Sequence, residues 1–83
     1  MNESTIEKRT VPRHRVLKGA TISFDGNGLP CTVRNLSSKG AAVDLASMAS
    51  LPPSFMLVIE CDHFIRRCHP VWSNNRRVGV AFD

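Results

Sequence analysis

Tyrosine is missing from this chain of 83 residues, and four phenylalanines and one tryptophan, Trp72, supply all its aromatic surface. Proteins that grip single-stranded nucleic acid stack successive bases on aromatic platforms. No aromatic pair falls on adjacent expected strands here, so polynucleotide binding is disfavoured. Cysteine is scarce and odd in number: Cys31, Cys61 and Cys68 cannot make a closed disulfide framework. Long apolar runs are absent too. The longest, Phe55 to Ile59, is far too short to cross a bilayer, and the start, Met1-Asn2-Glu3-Ser4, lacks the apolar centre of a secretion signal. The simplest expectation is a cytoplasmic protein with no membrane insertion.

The means of catalysis are also thin. There is no G-x-x-x-x-G-K-[ST] run and no G-x-G-x-x-G after a strand. The acidic residues are few, mostly near turns, and unpaired; His14, His63 and His69 are scattered without a Ser-His-Asp order. No enzyme, no catalytic residue and no cofactor is expected. Cys61, His63, Cys68 and His69 are residue types that suit zinc. But Cys68 and His69 are neighbours on an expected strand and would point to opposite faces. A buried thiol or two beside surface histidines is the simpler account, and no metal is expected.

What is present is a foldable core and an uneven charge. Apolar content of 42% is too high for a disordered chain. The length suits one small domain with a limited core. The formal net charge of +4 is divided unevenly. Residues 1–18 hold five basic and two acidic residues, 19–63 two basic and four acidic, and 64–83 four basic and one acidic. If the two basic ends converge, they form one face that attracts anions; the alternative is ordinary surface charge that keeps the domain soluble.

Residues 1–12 are polar, aperiodic and end in Pro12, so they read as a flexible N-terminal arm, with the domain proper spanning 13–83. Beyond Val16, short alternating runs lie between turn signals. Lys18–Phe24, Leu29–Asn35, Gly40–Leu45, Phe55–Glu60, Phe64–Trp72 and Arg77–Phe82 are the expected strands. Asp25-Gly26-Asn27-Gly28 is a hairpin turn. Asp62-His63 and Ser73-Asn74-Asn75 are further turns, and Ser47–Ser54 is a loop with room for one helical turn. The fold class is all-β, a small six-stranded antiparallel barrel or sandwich; a barrel removes exposed edges. Ala20, Ile22, Phe24, Leu29, Cys31, Val33, Ala41, Val43, Leu45, Val78, Val80 and Phe82 alternate inward. Trp72, with Phe24, Phe55, Phe64 and Phe82, is expected to fill much of the interior; the weaker alternative makes Trp72 a stacking platform for a base.

Two short motifs remain. Arg9-x-x-x-Arg13 lies in Lys8-Arg9-Thr10-Val11-Pro12-Arg13-His14-Arg15. Pro12 disfavours helix at Val11, so the two arginines are expected on an extended loop. An arginine fork matches a phosphate, matches guanine O6 and N7, and stacks on a base. Asn35-x-Ser37-x-x-Gly40 follows a strand. An Asn amide donates and accepts, as a base edge requires; Ser37 adds a hydroxyl, and Gly40 allows positive φ or close approach. Taken singly, the first motif is equally a solvated basic arm and the second a tight turn. In this order, they suggest a small anionic nucleotide.

Both motifs and the closing run Arg77-Val78-Gly79-Val80-Ala81-Phe82 after Val71-Trp72 resemble the PilZ domain family of bacterial cyclic di-GMP receptors, over residues 7 to 83. The resemblance implies a six-stranded split barrel with cyclic di-GMP as ligand, one or two molecules per chain. It implies that Arg9 and Arg13 clamp phosphates and guanine faces while Asn35, Ser37 and Gly40 hold one guanine; Lys8, Arg15 and Arg34 are possible helpers. The arginine loop would order on binding, and the module would signal by docking to an unidentified protein in control of motility or exopolysaccharide. Many members continue into a long C-terminal helix; this chain ends at Asp83, so a barrel lacking that helix is expected. A nucleic-acid-binding barrel and a ligand-free interaction domain are the alternatives.

Overall fold

The computed structural model describes residues 14–83, with side chains from residue 16 onward. Six antiparallel strands close into a barrel in the order β1-β2-β3-β6-β5-β4. They are β1 (His14–Phe24), β2 (Asn27–Leu36), β3 (Gly40–Leu45), β4 (Phe55–Ile59), β5 (Phe64–Asn74) and β6 (Arg77–Phe82). Closure covers most of the sheet's edges, although β1 meets β4 only over Thr21–Ser23.

The turns follow local chemistry. Asp25 and Gly26 join β1 to β2 with φ of 49° and 75°, the mirror-image turn whose twist suits a hairpin. Asn74 still pairs with Arg77, so the last turn sits at Asn75-Arg76, one residue later than the sequence suggested, with Asn75 at φ 58°. Glu60 leaves β4 for a 3-10 turn over Glu60–Asp62, closed by the His63 N–H donating to the Glu60 carbonyl at 3.1 Å. Residues 46–54 connect β3 to β4, which are not neighbours in the barrel. This connection has no helical turn; Leu51 packs against the core and anchors it.

Ile22, Cys31, Val33, Val43, Leu45, Phe55, Leu57, Ile59, Cys68, Val78 and Val80 are buried and form one cluster. The inward alternation read on β1, β2, β3 and β6 is present. The aromatic core is not. Phe55 is buried, but Phe24, Phe64 and Phe82 pack around the cluster only partly buried, and Trp72 is 48% exposed.

Three β-bulges explain what simple alternation missed. The pairing shifts by one residue between Arg15 and Lys18 on β1, between Val33 and Asn35 on β2, and between Pro70 and Trp72 on β5. A bulge adds one unpaired residue and breaks the inward–outward parity beyond it. Along β5, Phe64, Cys68 and Pro70 share the inner face, so unbroken alternation would bring Trp72 inside. The extra residue, Val71, turns Trp72 outward instead, opposite Gly79. The β1 bulge also hides the true start of that strand, at His14 and not Lys18.

The basic residues near the C-terminus do not make one patch. Arg66 and Arg67 lie near the start of β5, while Arg76 and Arg77 lie beyond its far end. At about 3.3 Å per residue, roughly 25 Å of strand separates the pairs. The basic arm expected at residues 1–12 lies outside the described residues.

Candidate functional site

Register places a continuous row on the outer face of the barrel. Arg15 pairs with Asn35, Asn35 with Ala42, Ala42 with Gly79, and Gly79 with Trp72. Directly paired residues point to the same face, so the row from Asn35 to Trp72 crosses four strands, with Arg15 known by its backbone pairing alone. Its middle is made of Ala42, which raises no wall, and Gly79, which the Trp72 ring covers. Its flanks are Asn35 and Trp72, about 14 Å apart across three strand spacings. Both flanks are bulge products: the β2 bulge at Arg34 and the β5 bulge at Val71 set the parity that turns them outward.

The result is a shallow groove of about 210 Å³, lined at its ends by Asn35, Ser37, Lys39, Val71 and Trp72. The Trp72 indole lies against Gly79, where any Cβ would collide with the ring. Asn35 is half-buried, and no hydrogen bond among the described residues engages its amide. A flat apolar ring at one end and a donor–acceptor amide at the other suit a planar heterocycle with a polar edge. The volume falls below the ~300–1,000 Å³ typical of pockets for drug-sized ligands. The groove therefore seats one flat ring system and leaves the remainder of a larger ligand to be covered from elsewhere.

Ser37 and Gly40 shape the ledge beside Asn35. The Ser37 hydroxyl accepts from the Lys39 and Gly40 N–H groups, each at 3.2 Å, and donates to the Gly40 carbonyl at 3.3 Å. The Ser37 N–H donates to the same carbonyl at 2.9 Å, and the Phe82 N–H donates to the Lys39 carbonyl at 2.8 Å. The hydroxyl has its proton and both lone pairs committed, so in this arrangement it holds the turn. Gly40 is not in the left-handed region, where Gly26 is the one glycine. Its hydrogen side chain is needed because a Cβ there would strike the Val80 carbonyl of β6.

On the other flank of Asn35, Arg77 grips both oxygens of its cross-strand partner Asp44, at 2.7 and 3.1 Å. Arg34 reaches one of those oxygens at 3.6 Å. The hydrogen bond from Arg77 holds the Asp44 carboxyl below the usual carboxylate range, with Arg34 and Arg76 adding to the field. The cysteine–histidine set does not converge: Cys68 is in the core, while His69 is outside, its Nδ1 2.7 Å from Asp83.

The sequence profile of the PilZ domain matches residues 7–83. The chain belongs to the PilZ domain family. No curated protein matches it. PilZ domains are in general cyclic di-GMP-binding adaptor modules rather than enzymes. In this PilZ domain, Asn35, Ser37 and Gly40 stand together at one end of the groove. Lys8, Arg9 and Arg13 lie outside the described residues, and Arg15 is described by its backbone pairing alone. Trp72, Gly79, Ala42 and Lys39 were absent from the residues singled out for a ligand, save for Trp72 as the weaker alternative. A glycine within the β6 run was a usable signal for Trp72, since glycine in a strand marks close approach. No helix among the described residues is long and apolar enough to cross a membrane.

Proposed function

We propose that this PilZ domain is a cyclic di-GMP receptor that seats a guanine in the groove between Asn35 and Trp72 and signals by docking to a partner protein. The observation that carries the reading is the outer row Asn35–Ala42–Gly79–Trp72, with its amide at one end and its indole at the other. The fit to the ligand is chemical. A guanine face stacks on an indole, and its edge presents the donors and acceptors an Asn amide matches. Chain geometry adds support. His14 pairs with Leu36 and Arg15 with Asn35. Arg13 is the residue before His14, and consecutive Cα atoms are about 3.8 Å apart. In the chain, Arg13 directly precedes the strand that pairs with the ledge, and Arg9 precedes Arg13 by four residues. In this reading Arg9 and Arg13 supply the cover that the shallow groove lacks, gripping phosphates and the outer guanine faces, and the segment carrying them orders when ligand arrives. That ordering is the signal available to a partner.

Calorimetric titration with cyclic di-GMP tests the reading. The parent protein should bind, and Arg9→Ala or Arg13→Ala should each weaken binding by more than tenfold, since a hydrogen bond to a charged group is worth about 1.5–3 kcal/mol. No heat at high micromolar ligand sinks the proposal. Parent-like affinity in both variants removes the arginine clamp from it.

A further inference from the structure

A second depression lies on the far side of Asn35 from the groove, with a volume of about 580 Å³, lined by Val16, Leu17, Arg34, Asn35 and Arg77. Asn35 lines both, so it is the ridge between two adjoining hollows. The second has a different chemistry. Leu17 is 73% exposed and offers a bare apolar wall. Opposite it stand two guanidinium groups, Arg34 and Arg77, with the single carboxylate of Asp44 between them. Two cations against one anion leave one positive charge uncompensated.

The two arginines are not equally committed. Arg77 spends its fork on both Asp44 oxygens. Arg34 has one long contact, 3.6 Å, to an oxygen that Arg77 already occupies, and its side chain is 44% exposed. Its donors are largely unspent among the described residues. It is also the extra residue of the β2 bulge, next to Asn35 in the chain. Bulges re-aim side chains near binding sites, and this one puts an under-compensated guanidinium beside the groove. An under-compensated arginine suits a phosphate, and the apolar wall beside it can lie against the carbon skeleton the phosphate is joined to.

We propose that this depression is a phosphate subsite continuous with the groove, in which Arg34 grips a phosphodiester of the bound cyclic dinucleotide and the Asp44–Arg77 pair props Arg34 in position. The inference rests on the receptor reading above and adds a contact on the opposite side of Asn35 from Trp72. Arg34 is then a ligand-binding residue, and Asp44 is a positioning residue.

Calorimetry with cyclic di-GMP on the parent, Arg34→Ala and Arg66→Ala tests it. Arg66 is an exposed arginine over the Phe82 ring, 5.0 Å from its centroid, and its removal subtracts the same charge away from the groove. Arg34→Ala should bind about tenfold or more weakly, lose part of the salt dependence of the parent, and keep the parent's melting temperature. Arg66→Ala should bind within about twofold of the parent. Equal losses in the two variants would mean that net charge alone is at work and overturn the subsite. Parent-like affinity in Arg34→Ala, with the parent binding well, overturns the subsite and leaves the receptor reading standing. A parent that gives no heat overturns both.

Discussion

Trp72 is held outside the barrel by one extra residue and seated by one missing side chain. Val71 takes the bulge, and Gly79 leaves the space the indole occupies. Because Trp72 is half exposed, its removal costs little core. Trp72→Ala should leave the thermal midpoint within a few degrees of the parent while weakening cyclic di-GMP binding by about tenfold or more, given ~1–3 kcal/mol for a base stacked on an aromatic side chain. Tryptophan is unique in the chain, so its fluorescence in the parent reports the groove directly. Unchanged affinity in Trp72→Ala would remove it from the site. At this scale, residue type was informative and residue placement was not. Asn35 and Trp72 were both legible as groups able to meet a base, yet the facing of Trp72 was misjudged because a large aromatic suits a core and the bulge before it has no residue signal.

At the scale of elements, the β2–β3 hairpin and its contact with β6 form the ledge. Ser37 closes the turn through its hydroxyl, and Gly40 lets β3 approach the Val80 carbonyl. Backbone, not a flexible side chain, stands where a Cβ would go. Gly40→Ala should therefore force β3 and β6 apart and destabilise the domain by about 1–3 kcal/mol, the usual cost of overpacking. A urea titration reads this; a midpoint equal to that of the parent would mean the strands separate freely, and the ledge would lose its structural account. The hairpins themselves were largely readable. Asp-Gly announced the first turn, and alternation bounded β3 and β6 correctly. Strand ends were less so: β1 begins at His14, Glu60 curls into a 3-10 turn, and β5 runs on to Asn74. The first and last of these boundaries are set by partner strands, and the second by a local turn closed at His63.

For the whole molecule, closure of the barrel seals two thiols in the core. Burial pushes both Cys31 and Cys68 up to about 11, from an ordinary 9.0. The folded protein thus keeps two protons that the unfolded chain releases from about pH 9. Below that pH both states are protonated and the thiols add no pH dependence. Between about pH 9 and about pH 11 the unfolded state holds fewer protons, so stability falls as pH rises. Chemical denaturation across this window should show the decline, and the Cys31→Ala/Cys68→Ala double variant should show a shallower one. An equally steep decline in the double variant would assign it to other groups, such as Lys18, whose pairing with Asp62 raises its own pKa.

The all-β class, the number of strands and most of the core were legible in the order of residues alone. Period-two alternation, Asp-Gly and Asn turns, and aliphatic composition are local, and local physics reads them. Family membership was legible there too, through two motifs and a closing strand matched over residues 7–83. Which residues stand in one row came from the folded barrel. Asn35 and Trp72 are far apart in the chain and stand at the two ends of one row across β3 and β6 because two bulges set their facing. A bulge has no firm residue signature; it is placed by the ladder on both sides and by the demand that the barrel close. Its effect is to move a side chain from the core to the surface, and that single step turned the expected core tryptophan into one wall of a groove.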